Sequence, residues 1–538
     1  MVIQIHKVLI SDDVDPKCVD ILKSSGITVV QNTTLTKDEL LTEIPKYDGL
    51  IVRSATRVTA DVINAGTNLK IIGRAGTGVD NIDADAATKK GIIVMNTPGG
   101  NTLSAAEHTC TFIIALSRNL GAASLSMKEG KWDRKKFMGN ELFGKTLAII
   151  GLGRIGKEVA LRMQSFGMTT IGFDPIISAE ESATFNTEWL TLEEIWPKAD
   201  YITVHTPLIP QTKNLINDAV FAKCKKGIKV INCARGGIID EDALLRALES
   251  GQCGGAGLDV FLEEPPKDYT LVKHPNVVAT PHLGASTVEA QSRVAEEIAQ
   301  QFVDLAQRKS LFGAINAPAV THALSVSSQP WVQLGEQLGV IGSVLTKNFL
   351  LNKVEALLSG ESLKDGGAYI IASVMVGYFS TPYADRGDSL TSKLNLINSP
   401  VFAKERNIIT KSSFKKELLH ESETVNVEFH GVGGEVLKLQ GTVAGNRSLL
   451  LSVQEHAFKI PALLNDNAIF YRTKEPISLV DILAAAAKDD VDVVAVSATD
   501  FSNSFGFGVI HGSSPVTSKL ENLNDAINVA FAFPTRSL

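Results

Sequence analysis

The sequence predicts an α/β protein with two doubly wound parallel sheets, followed by two smaller α+β domains. Short β-branched runs alternate with helical stretches in the first hundred or so residues, and the same alternation starts again at Thr146. After Asn316-Ala317-Pro318 the composition becomes rich in Ser and Thr, which indicates a boundary. A chain of 538 residues has room for roughly three to five domains.

In the first module, β-branched apolar runs predict strands, and the stretches between them have apolar residues at helical spacing. The predicted strands are 7–10, 28–30, 49–52, 69–72 and 92–95, and the predicted helices are 15–25, 37–46 and 59–65. Strands that alternate with helices of this length form parallel βαβ units. We therefore expect a parallel sheet with helices on both of its faces.

A second module of the same kind follows a long predicted helix over 101–120. Its predicted strands are 146–150, 169–173, 201–204, 230–233, 257–260 and 277–279, with a helix over 154–166. Residues 288–305 then form an amphipathic helix, with Val294, Ile298 and Phe302 on one face. We predict that this helix returns the chain to the first module, which would comprise 1–98 and 285–318, with the second module, 99–284, inserted in it.

The remaining chain predicts two α+β domains. Residues 320–460 combine helices at 331–345 and 368–379 with a β-meander at 424–429, 436–443 and 448–453. Residues 461–538 give the order strand, helix, strand, strand, helix, strand, which is typical of a ferredoxin-like sandwich. Its predicted elements are 468–472, 479–487, 491–497, 505–510, 520–529 and 530–533.

Composition excludes several classes of protein. With 52 Lys and Arg against 59 Asp and Glu, the net charge of −7 disfavours binding to nucleic acid. No apolar run reaches the ~18–20 residues that a membrane span needs. The five cysteines are odd in number and form no C-x-x-C pair, which favours reduced thiols over disulfides or a metal site. We expect a cytoplasmic protein without a structural metal.

A glycine motif, Gly151-Leu-Gly153-Arg-Ile-Gly156, directly follows the strand 146–150 and opens a helix. Glycines at these positions allow a tight turn, close approach of a pyrophosphate and close packing of helix on strand. Asp174 ends the next strand, where a carboxylate accepts hydrogen bonds from the adenosine ribose. The alternative is a merely structural turn. The combination predicts a Rossmann-like module that binds NAD, since the carboxylate of Asp174 repels the 2′-phosphate of NADP.

Three polar residues follow later strands of the same module: Arg235, Glu264 and His282. In a doubly wound sheet the carboxyl ends of the strands are where ligands bind. An imidazole can take a hydroxyl proton as hydride leaves the carbon, a neighbouring carboxylate raises the pKa of the imidazole, and a guanidinium can bind a substrate carboxylate. Together the three residues predict a hydride-transfer site, although each alone could be a surface or packing residue.

The motifs GLGRIG with Asp174, CARGGIID, LDVFLEEPP and TPHLGAS, in this order, resemble the D-isomer-specific 2-hydroxyacid dehydrogenases over roughly residues 5–315. The resemblance implies that Arg235, Glu264 and His282 are the catalytic residues. It also implies action on the D-isomer.

Three further segments, GRAGTGVDNID, NTPGGNTLSAAEH and WDRKKFMG, are similar to the members of that family that oxidise 3-phospho-D-glycerate to 3-phosphooxypyruvate, the first step of L-serine biosynthesis. The resemblance implies cofactor contacts at Thr77, Gly151, Gly153, Arg154, Ile155, Gly156, Asp174, Thr206, Cys233, Ala234, Arg235, Asp259, His282, Gly284 and Ala285. It implies substrate contacts at Arg53, Arg74, Asn101, Arg134 and Arg235. Several guanidiniums suit a substrate that carries both a carboxylate and a phosphate.

Residues 320–460 resemble the intervening domain of the long members of the family, and 461–538 resemble their ACT-like regulatory domain. The stretch 473–478 lacks the effector-loop glycine of serine-inhibited members, so it does not predict serine feedback. The resemblance implies a homo-oligomer, either a dimer or a tetramer. Two alternatives stay open: a dehydrogenase for another D-2-hydroxyacid, such as 2-hydroxyglutarate, and an NAD-sensing interaction protein of the corepressor type.

Overall fold

The computed structural model describes residues 3–382, 394–418, 422–474, 477–500, 505–515 and 520–533. The chain divides into two compact units. Unit 1 comprises Met1–Val14, Cys18–Asn96 and Ile298–Leu538, and unit 2 comprises Asp15–Lys17 and Thr97–Glu297. Unit 2 is therefore inserted, in sequence, within unit 1.

Unit 1 begins with a parallel sheet of five strands in the order β2-β1-β3-β4-β5. The strands are β1 (Lys7–Ile10), β2 (Thr28–Gln31), β3 (Gly49–Val52), β4 (Ile71–Arg74) and β5 (Ile93–Asn96), and the helices are α1 (Lys17–Ser24), α2 (Lys37–Glu43), α3 (Ala60–Ala65) and α4 (Ala84–Lys90). Every neighbouring pair of strands is parallel, as the alternating pattern predicts. The four residues of β3 are all buried because helices cover both faces of the sheet.

Unit 2 contains a parallel sheet of seven strands in the order β12-β11-β10-β9-β6-β7-β8. Its elements are α5 (Thr102–Ser117), α6 (Leu120–Lys128), β6 (Thr146–Ile150), α7 (Arg154–Gln164), β7 (Thr169–Phe173), α8 (Ala179–Ala183), β8 (Glu188–Trp189), α9 (Leu192–Ile195), β9 (Tyr201–Val204), α10 (Asp218–Lys223), β10 (Ile228–Asn232), α11 (Glu241–Glu249), β11 (Cys253–Leu258) and β12 (Val277–Ala279). The next helix, α12 (Val288–Ala306), begins in unit 2 and ends in unit 1. The strand order reverses between β6 and β9, and this switch point is where a doubly wound sheet binds its ligand.

The long helix predicted over 101–120 is confirmed as α5, but it ends at Ser117, and a second helix, α6, begins at Leu120. Asn119 lies between the two helices at a φ of 53°. A left-handed residue cannot continue a right-handed helix, and Asn tolerates this conformation better than most residues.

Beyond unit 2, the chain pairs with the free edge of β5. The Asn96 N–H donates to the Gly313 carbonyl at 3.0 Å, and the Ile315 N–H donates to the Val94 carbonyl at 2.9 Å. The Asn316 side chain accepts from the Val94 N–H at 2.8 Å and donates to the Ile92 carbonyl at 2.9 Å. Residues 313–316 therefore complete the sheet that β1 begins.

The next part of unit 1 is a sheet of six strands in the order β14-β13-β15-β16-β17-β18. Its elements are α13 (Pro318–Ala323), α14 (Gln329–Leu345), β13 (Leu351–Ser359), α15 (Gly367–Phe379), α16 (Ser399–Glu405), β14 (Ile409–Lys415), β15 (Thr424–Gly431), β16 (Val436–Ala444), β17 (Arg447–Val453) and β18 (His456–Leu464). The antiparallel run from β15 to β17 confirms the predicted meander. Val425, Val427 and Phe429 are fully buried on one face of β15, and Phe429 stacks on Tyr378 of α15.

The last sheet has the order β20-β21-β19-β22, with all neighbouring strands antiparallel. Its elements are β19 (Ala468–Arg472), α17 (Leu479–Lys488), β20 (Val493–Ala498), β21 (Phe507–Gly512), α18 (Glu521–Ala526) and β22 (Val529–Ala532). This is the ferredoxin-like arrangement that the order of elements predicts. Two residues of the predicted effector stretch, 475 and 476, lie outside the described residues.

The predicted domain boundaries at 98/99 and 284/285, and those near residues 320 and 460 within unit 1, stay predictions. Within the part of the chain that the structure describes, no helix combines the length and the apolarity needed to span a membrane.

Candidate active site

The glycine motif lies at the switch point of the unit 2 sheet, between β6 and α7. Gly151 has a φ of +99°, and a Cβ at this position would lie 2.6 Å from the His205 carbonyl oxygen. A Cβ on Gly156 would lie 2.0 Å from the Gly151 oxygen, so helix and loop pack too closely for a side chain. A Cβ on Gly153 would meet no described atom within 4 Å. The space before the α7 N-terminus can therefore accept a phosphate, which the free N–H groups would bind.

Two polar groups beside this loop also fit a dinucleotide. Oδ2 of Asp174 accepts from the Leu152 N–H at 2.8 Å, which fixes the carboxylate at the end of β7 and leaves a lone pair for a ribose hydroxyl. The Thr206 hydroxyl is buried and has no hydrogen-bond partner among the described residues. A buried hydroxyl of this kind normally has a partner. The residues present at the switch point therefore fit NAD.

Glu264 and His282 form a hydrogen-bonded pair at the carboxyl edge of the same sheet. Glu264 follows β11, His282 follows β12, and His282 Nδ1 lies 2.7 Å from Glu264 Oε2. The hydrogen bond with Glu264 raises the pKa of His282 above its ordinary value, although partial burial opposes the increase. Partial burial raises the pKa of Glu264, but the hydrogen bond and the charge of His282 outweigh burial, so the net pKa lies below its ordinary value. The pair therefore favours an imidazolium beside a carboxylate.

Arg235 follows β10 and is partly buried. Its backbone oxygen accepts from Asn232 Nδ2 at 2.8 Å, and its Nη1 donates to the Ala234 carbonyl at 2.7 Å. Its charge lowers the pKa of both Glu264 and His282, as expected of a cation near the pair. The structure therefore brings the three predicted catalytic residues to one edge of the unit 2 sheet.

Asp259 organises the loop that carries His282. Its carboxylate is fully buried and accepts from the Thr280 hydroxyl at 2.6 Å, the Leu283 N–H at 2.6 Å and the Gly284 N–H at 2.7 Å. The His282 N–H donates to the backbone oxygen of Asp259 at 2.9 Å. Burial raises the pKa of Asp259, but hydrogen bonds to its carboxylate from His108, Thr280, Leu283 and Gly284 outweigh burial and lower the net pKa. The predicted cofactor contact of Asp259 stays a prediction, and its carboxylate holds the loop.

The predicted substrate residues Arg53 and Arg74 lie in unit 1, after β3 and at the end of β4. The Arg53 N–H donates to Asp12 Oδ2 at 2.6 Å, and Arg74 Nε donates to Asn81 Oδ1 at 3.3 Å. The Asn81 amide also donates to the Arg53 carbonyl at 2.7 Å. Asn81 therefore connects the backbone of one arginine with the side chain of the other.

The other predicted contacts lie in the following places. The Thr77 carbonyl, after β4, accepts from Asn96 Nδ2 at 2.6 Å, and the Ala285 carbonyl accepts from Gln291 Nε2 at 2.7 Å. Asn101 precedes α5, and Arg134 is in an exposed turn after α6. Arg154 and Ile155 begin α7, and Cys233 and Ala234 follow β10. Burial raises the pKa of the Cys233 thiol, which favours the neutral thiol. The roles of all these residues stay predictions.

Sequence reasoning did not single out three polar residues whose side chains form hydrogen bonds with predicted site residues or with each other: Asn81, His108 and Thr280. Each lies inside a motif already singled out, in GRAGTGVDNID, NTLSAAEH and TPHLGAS. The available signal was a polar residue beside buried strands and helices, because a buried polar group needs a partner. The sequence does not say which partner that is.

Among the described residues, Glu355, Glu428 and His430 on the six-stranded sheet have side chains of the kind that bind metal ions, with ligand atoms within 4.8 Å of one another. Lys353 Nζ lies 2.7 Å from Glu355, and Lys438 Nζ lies 3.3 Å from Glu428. The two lysines already balance the two carboxylates, so the group carries no metal assignment, and the expectation of no metal stays a prediction.

Comparison with known proteins agrees with this geometry. A family model described as "D-isomer specific 2-hydroxyacid dehydrogenase, NAD binding domain" matches residues 110–284. The chain is 46% identical to D-3-phosphoglycerate dehydrogenase of Rattus norvegicus, over 98% of this chain and 99% of the relative. It is 47% identical to that of Homo sapiens, over the same shares. A solved structure of Aquifex aeolicus D-lactate dehydrogenase, in complex with NAD and lactic acid, matches with a TM-score of 0.51 and 28% identity, over 56% of this chain and 96% of that one.

The chain therefore belongs to the D-isomer-specific 2-hydroxyacid dehydrogenase family, and it is an NAD-dependent dehydrogenase. Within that family it groups with the D-3-phosphoglycerate dehydrogenases, which it matches over nearly their full length.

Proposed function

We propose that this chain oxidises 3-phospho-D-glycerate to 3-phosphooxypyruvate with NAD, the first step of L-serine biosynthesis. The observation that carries the proposal is the 2.7 Å hydrogen bond between His282 and Glu264 at the ligand-binding edge of the unit 2 sheet. The names of the full-length relatives supply the substrate.

His282 is the acid–base in this proposal. Because Nδ1 is hydrogen-bonded to the Glu264 carboxylate, Nδ1 carries the ring proton and Nε2 of the neutral ring has the lone pair that takes the hydroxyl proton. Glu264 then stabilises the imidazolium. The glycine motif and Asp174 would hold NAD, which would supply the acceptor for the hydride from the carbon that bears the hydroxyl. In the reverse direction His282 returns its proton to the keto oxygen.

The arginines give the proposal its substrate class. Arg235 binds the carboxylate of the substrate, because a guanidinium can donate two parallel hydrogen bonds to it. We assign Arg53, Arg74 and Arg134, together with Asn101, to the charged ends of the substrate, for which guanidinium is well suited. A dehydrogenase for another D-2-hydroxyacid, such as 2-hydroxyglutarate, could use the same three catalytic residues. Because guanidinium binds carboxylate as well as phosphate, the names of the full-length relatives, and not the arginines alone, favour the phosphorylated substrate.

The alternative function, an NAD-sensing interaction protein of the corepressor type, is less well supported because the full-length relatives are named as dehydrogenases. For the whole protein we propose a cytoplasmic homo-oligomer that binds neither nucleic acid nor a membrane. All five cysteines lie in the described part of the chain and none of them is in a disulfide, as is typical of a reducing compartment. We assign residues 320–460 to an intervening domain and 461–538 to an ACT-like regulatory domain.

The test is NADH formation measured with a panel of D-2-hydroxyacids, with and without a phosphate. We expect the highest kcat/KM for 3-phospho-D-glycerate. The His282→Ala variant should lose roughly 10²–10⁴-fold in kcat while it still binds NADH. A higher kcat/KM for 2-hydroxyglutarate than for 3-phospho-D-glycerate would show that 2-hydroxyglutarate is the preferred substrate. Near-full turnover by His282→Ala would overturn the assigned acid–base.

A further inference from the structure

His108 lies behind the catalytic loop of unit 2 and has no part in the mechanism above. It belongs to α5, its side chain is 21% exposed, and its ring packs edge-on against Phe112 at 4.8 Å. Its Nε2 lies 2.9 Å from the Thr280 hydroxyl and 3.3 Å from Oδ1 of Asp259. α5 thus reaches the buried carboxylate that holds the His282 loop.

The hydrogen bonds determine which atoms carry the protons. The Thr280 hydroxyl donates its single proton to Asp259 Oδ1 at 2.6 Å. Toward His108 the hydroxyl oxygen can therefore only accept, so Nε2 of His108 carries a hydrogen and donates it. The chain of donors runs from His108 to Thr280 to Asp259.

The loop needs this support because His282 has a φ of 55°. A residue with a Cβ rarely adopts this left-handed conformation, and it persists only when its surroundings hold it. Three successive N–H groups, from His282, Leu283 and Gly284, all donate to Asp259. The position of Asp259 therefore determines where the His282 ring lies relative to Glu264.

We propose that His108 is a positioning residue for the dehydrogenase reaction: through Thr280 and Asp259 it holds the left-handed backbone of His282 and thereby the hydrogen bond of that ring with Glu264. The inference deepens the proposed function and rests on it. The charged groups that face His282 are Glu264, Asp259 and Arg235. The contacts by which His108 would hold the loop are those of its Nε2 with Thr280 and Asp259.

The test compares His108→Leu, which removes the donor, with His108→Gln, which keeps an N–H donor. The control is Thr111→Ala on the same helix, whose hydroxyl donates only to the Glu107 carbonyl on an exposed face. For each protein we would measure kcat, KM, the pH profile of hydroxyacid oxidation, the Kd of NADH and the melting temperature. The substrate is whichever D-2-hydroxyacid the unmodified protein oxidises best.

We expect His108→Leu to lose roughly tenfold in kcat, with KM and the Kd of NADH changed by less than about threefold. Its pH profile should move to lower pH, because a weakened hydrogen bond with Glu264 no longer raises the pKa of His282. His108→Gln should recover most of the loss, and Thr111→Ala should match the unmodified protein.

An unchanged kcat and pH profile in His108→Leu would overturn the inference. It would also be overturned if His108→Gln were no better than His108→Leu, because ring packing rather than hydrogen bonding would then matter. An unmodified protein that oxidised no D-2-hydroxyacid would overturn both this inference and the proposed function. An active unmodified protein beside an unaffected His108→Leu would overturn only this one.

Discussion

The Glu264–His282 pair couples catalysis to pH through a single hydrogen bond. Glu264 raises the pKa of His282, so the ring stays protonated to a higher pH than an isolated histidine would. Oxidation of the hydroxyacid needs the neutral ring, and reduction of the keto acid needs the protonated ring. The oxidation rate should therefore rise with pH over the window in which the reduction rate falls.

Replacing Glu264 by Gln should move both profiles to lower pH, because a neutral amide no longer favours the imidazolium. The measurement is kcat/KM against pH in each direction. Glu263→Gln is the matched control, since the exposed Glu263 pairs with Lys267 at 2.9 Å instead. Profiles of Glu264→Gln that coincide with those of the unmodified protein would show that Glu264 does not set the pKa of His282.

Asp174 has two roles, and a single substitution would remove both of them together. Besides its proposed bond with the ribose, its carboxylate accepts from the backbone N–H groups of Leu152, Ile176 and Ile177. Asp174→Ala should weaken NAD binding and narrow the preference for NAD over NADP, but it also removes these three bonds. Asp174→Asn retains an oxygen for Ile176 and Ile177 but loses the bond with the Leu152 N–H and the charge, so its comparison with Asp174→Ala separates the loss of the Ile176 and Ile177 bonds from the effect of charge on NADP use.

We would measure the Kd and kcat/KM for both cofactors, together with the melting temperature, for Asp174→Ala and Asp174→Asn. Glu188→Ala, at an exposed position of β8, is the control. Equal use of NAD and NADP by the unmodified protein would contradict the assignment of Asp174.

Arg74→Ala should weaken kcat/KM for 3-phospho-D-glycerate by roughly ten- to a hundredfold, because a charge-assisted hydrogen bond contributes ~1.5–3 kcal/mol. The loss should be smaller for unphosphorylated hydroxyacids. The exposed Arg57 provides the control, Arg57→Ala, which removes an equal charge from the same unit. Unchanged kinetics in Arg74→Ala would show that Arg74 does not bind the substrate.

Among the elements, the pairing of residues 313–316 with β5 depends strongly on one side chain. Asn316 makes hydrogen bonds with the Val94 N–H, the Ile92 carbonyl and the Thr88 hydroxyl, at 2.8, 2.9 and 2.9 Å. Asn316→Ala should lower the free energy of unfolding by about 1–3 kcal/mol, since it leaves buried backbone groups without a partner. Urea unfolding measures this, and Gln307→Ala at an exposed position should change it by less than about 0.5 kcal/mol.

Strands that are short apolar runs could be predicted from the sequence, whether fully buried like β3 or only partly buried like β12. The strands β1, β3, β6, β7, β9 and β12 have the predicted bounds, because each is a short apolar run between polar residues. β14 was missed because its residues are mostly exposed, and backbone pairing with β13 determines it instead of burial. β18 contains Pro461, and a proline in the sequence argues against a central strand. The structure places β18 at the edge of its sheet, where proline is tolerated.

In the candidate site too, some features could be predicted from the sequence and others could not. Arg235, Glu264 and His282 could be placed at one edge because parallel strands bring their carboxyl ends together. The donors His108, Thr280 and Asn81 could not be assigned partners, because their bonds join segments far apart in sequence, such as positions 108 and 280. Nor does a sequence pattern show that His282 has a positive φ.

On the scale of the whole molecule, unit 2 separates the two parts of the chain that complete the first sheet of unit 1. The hydrogen bond between Val94 and Asn316 spans 222 positions. At a synthesis rate of roughly 5–20 residues per second, the ribosome needs on the order of ten to forty seconds to cover that distance. Throughout this time the nascent N-terminal sheet presents β5 as an unpaired edge, which is a template for pairing with other chains. The insertion therefore means that the first sheet to emerge from the ribosome is completed only after the whole unit 2 sheet has been synthesised, and its β5 edge can pair with other chains until residue 316 is made.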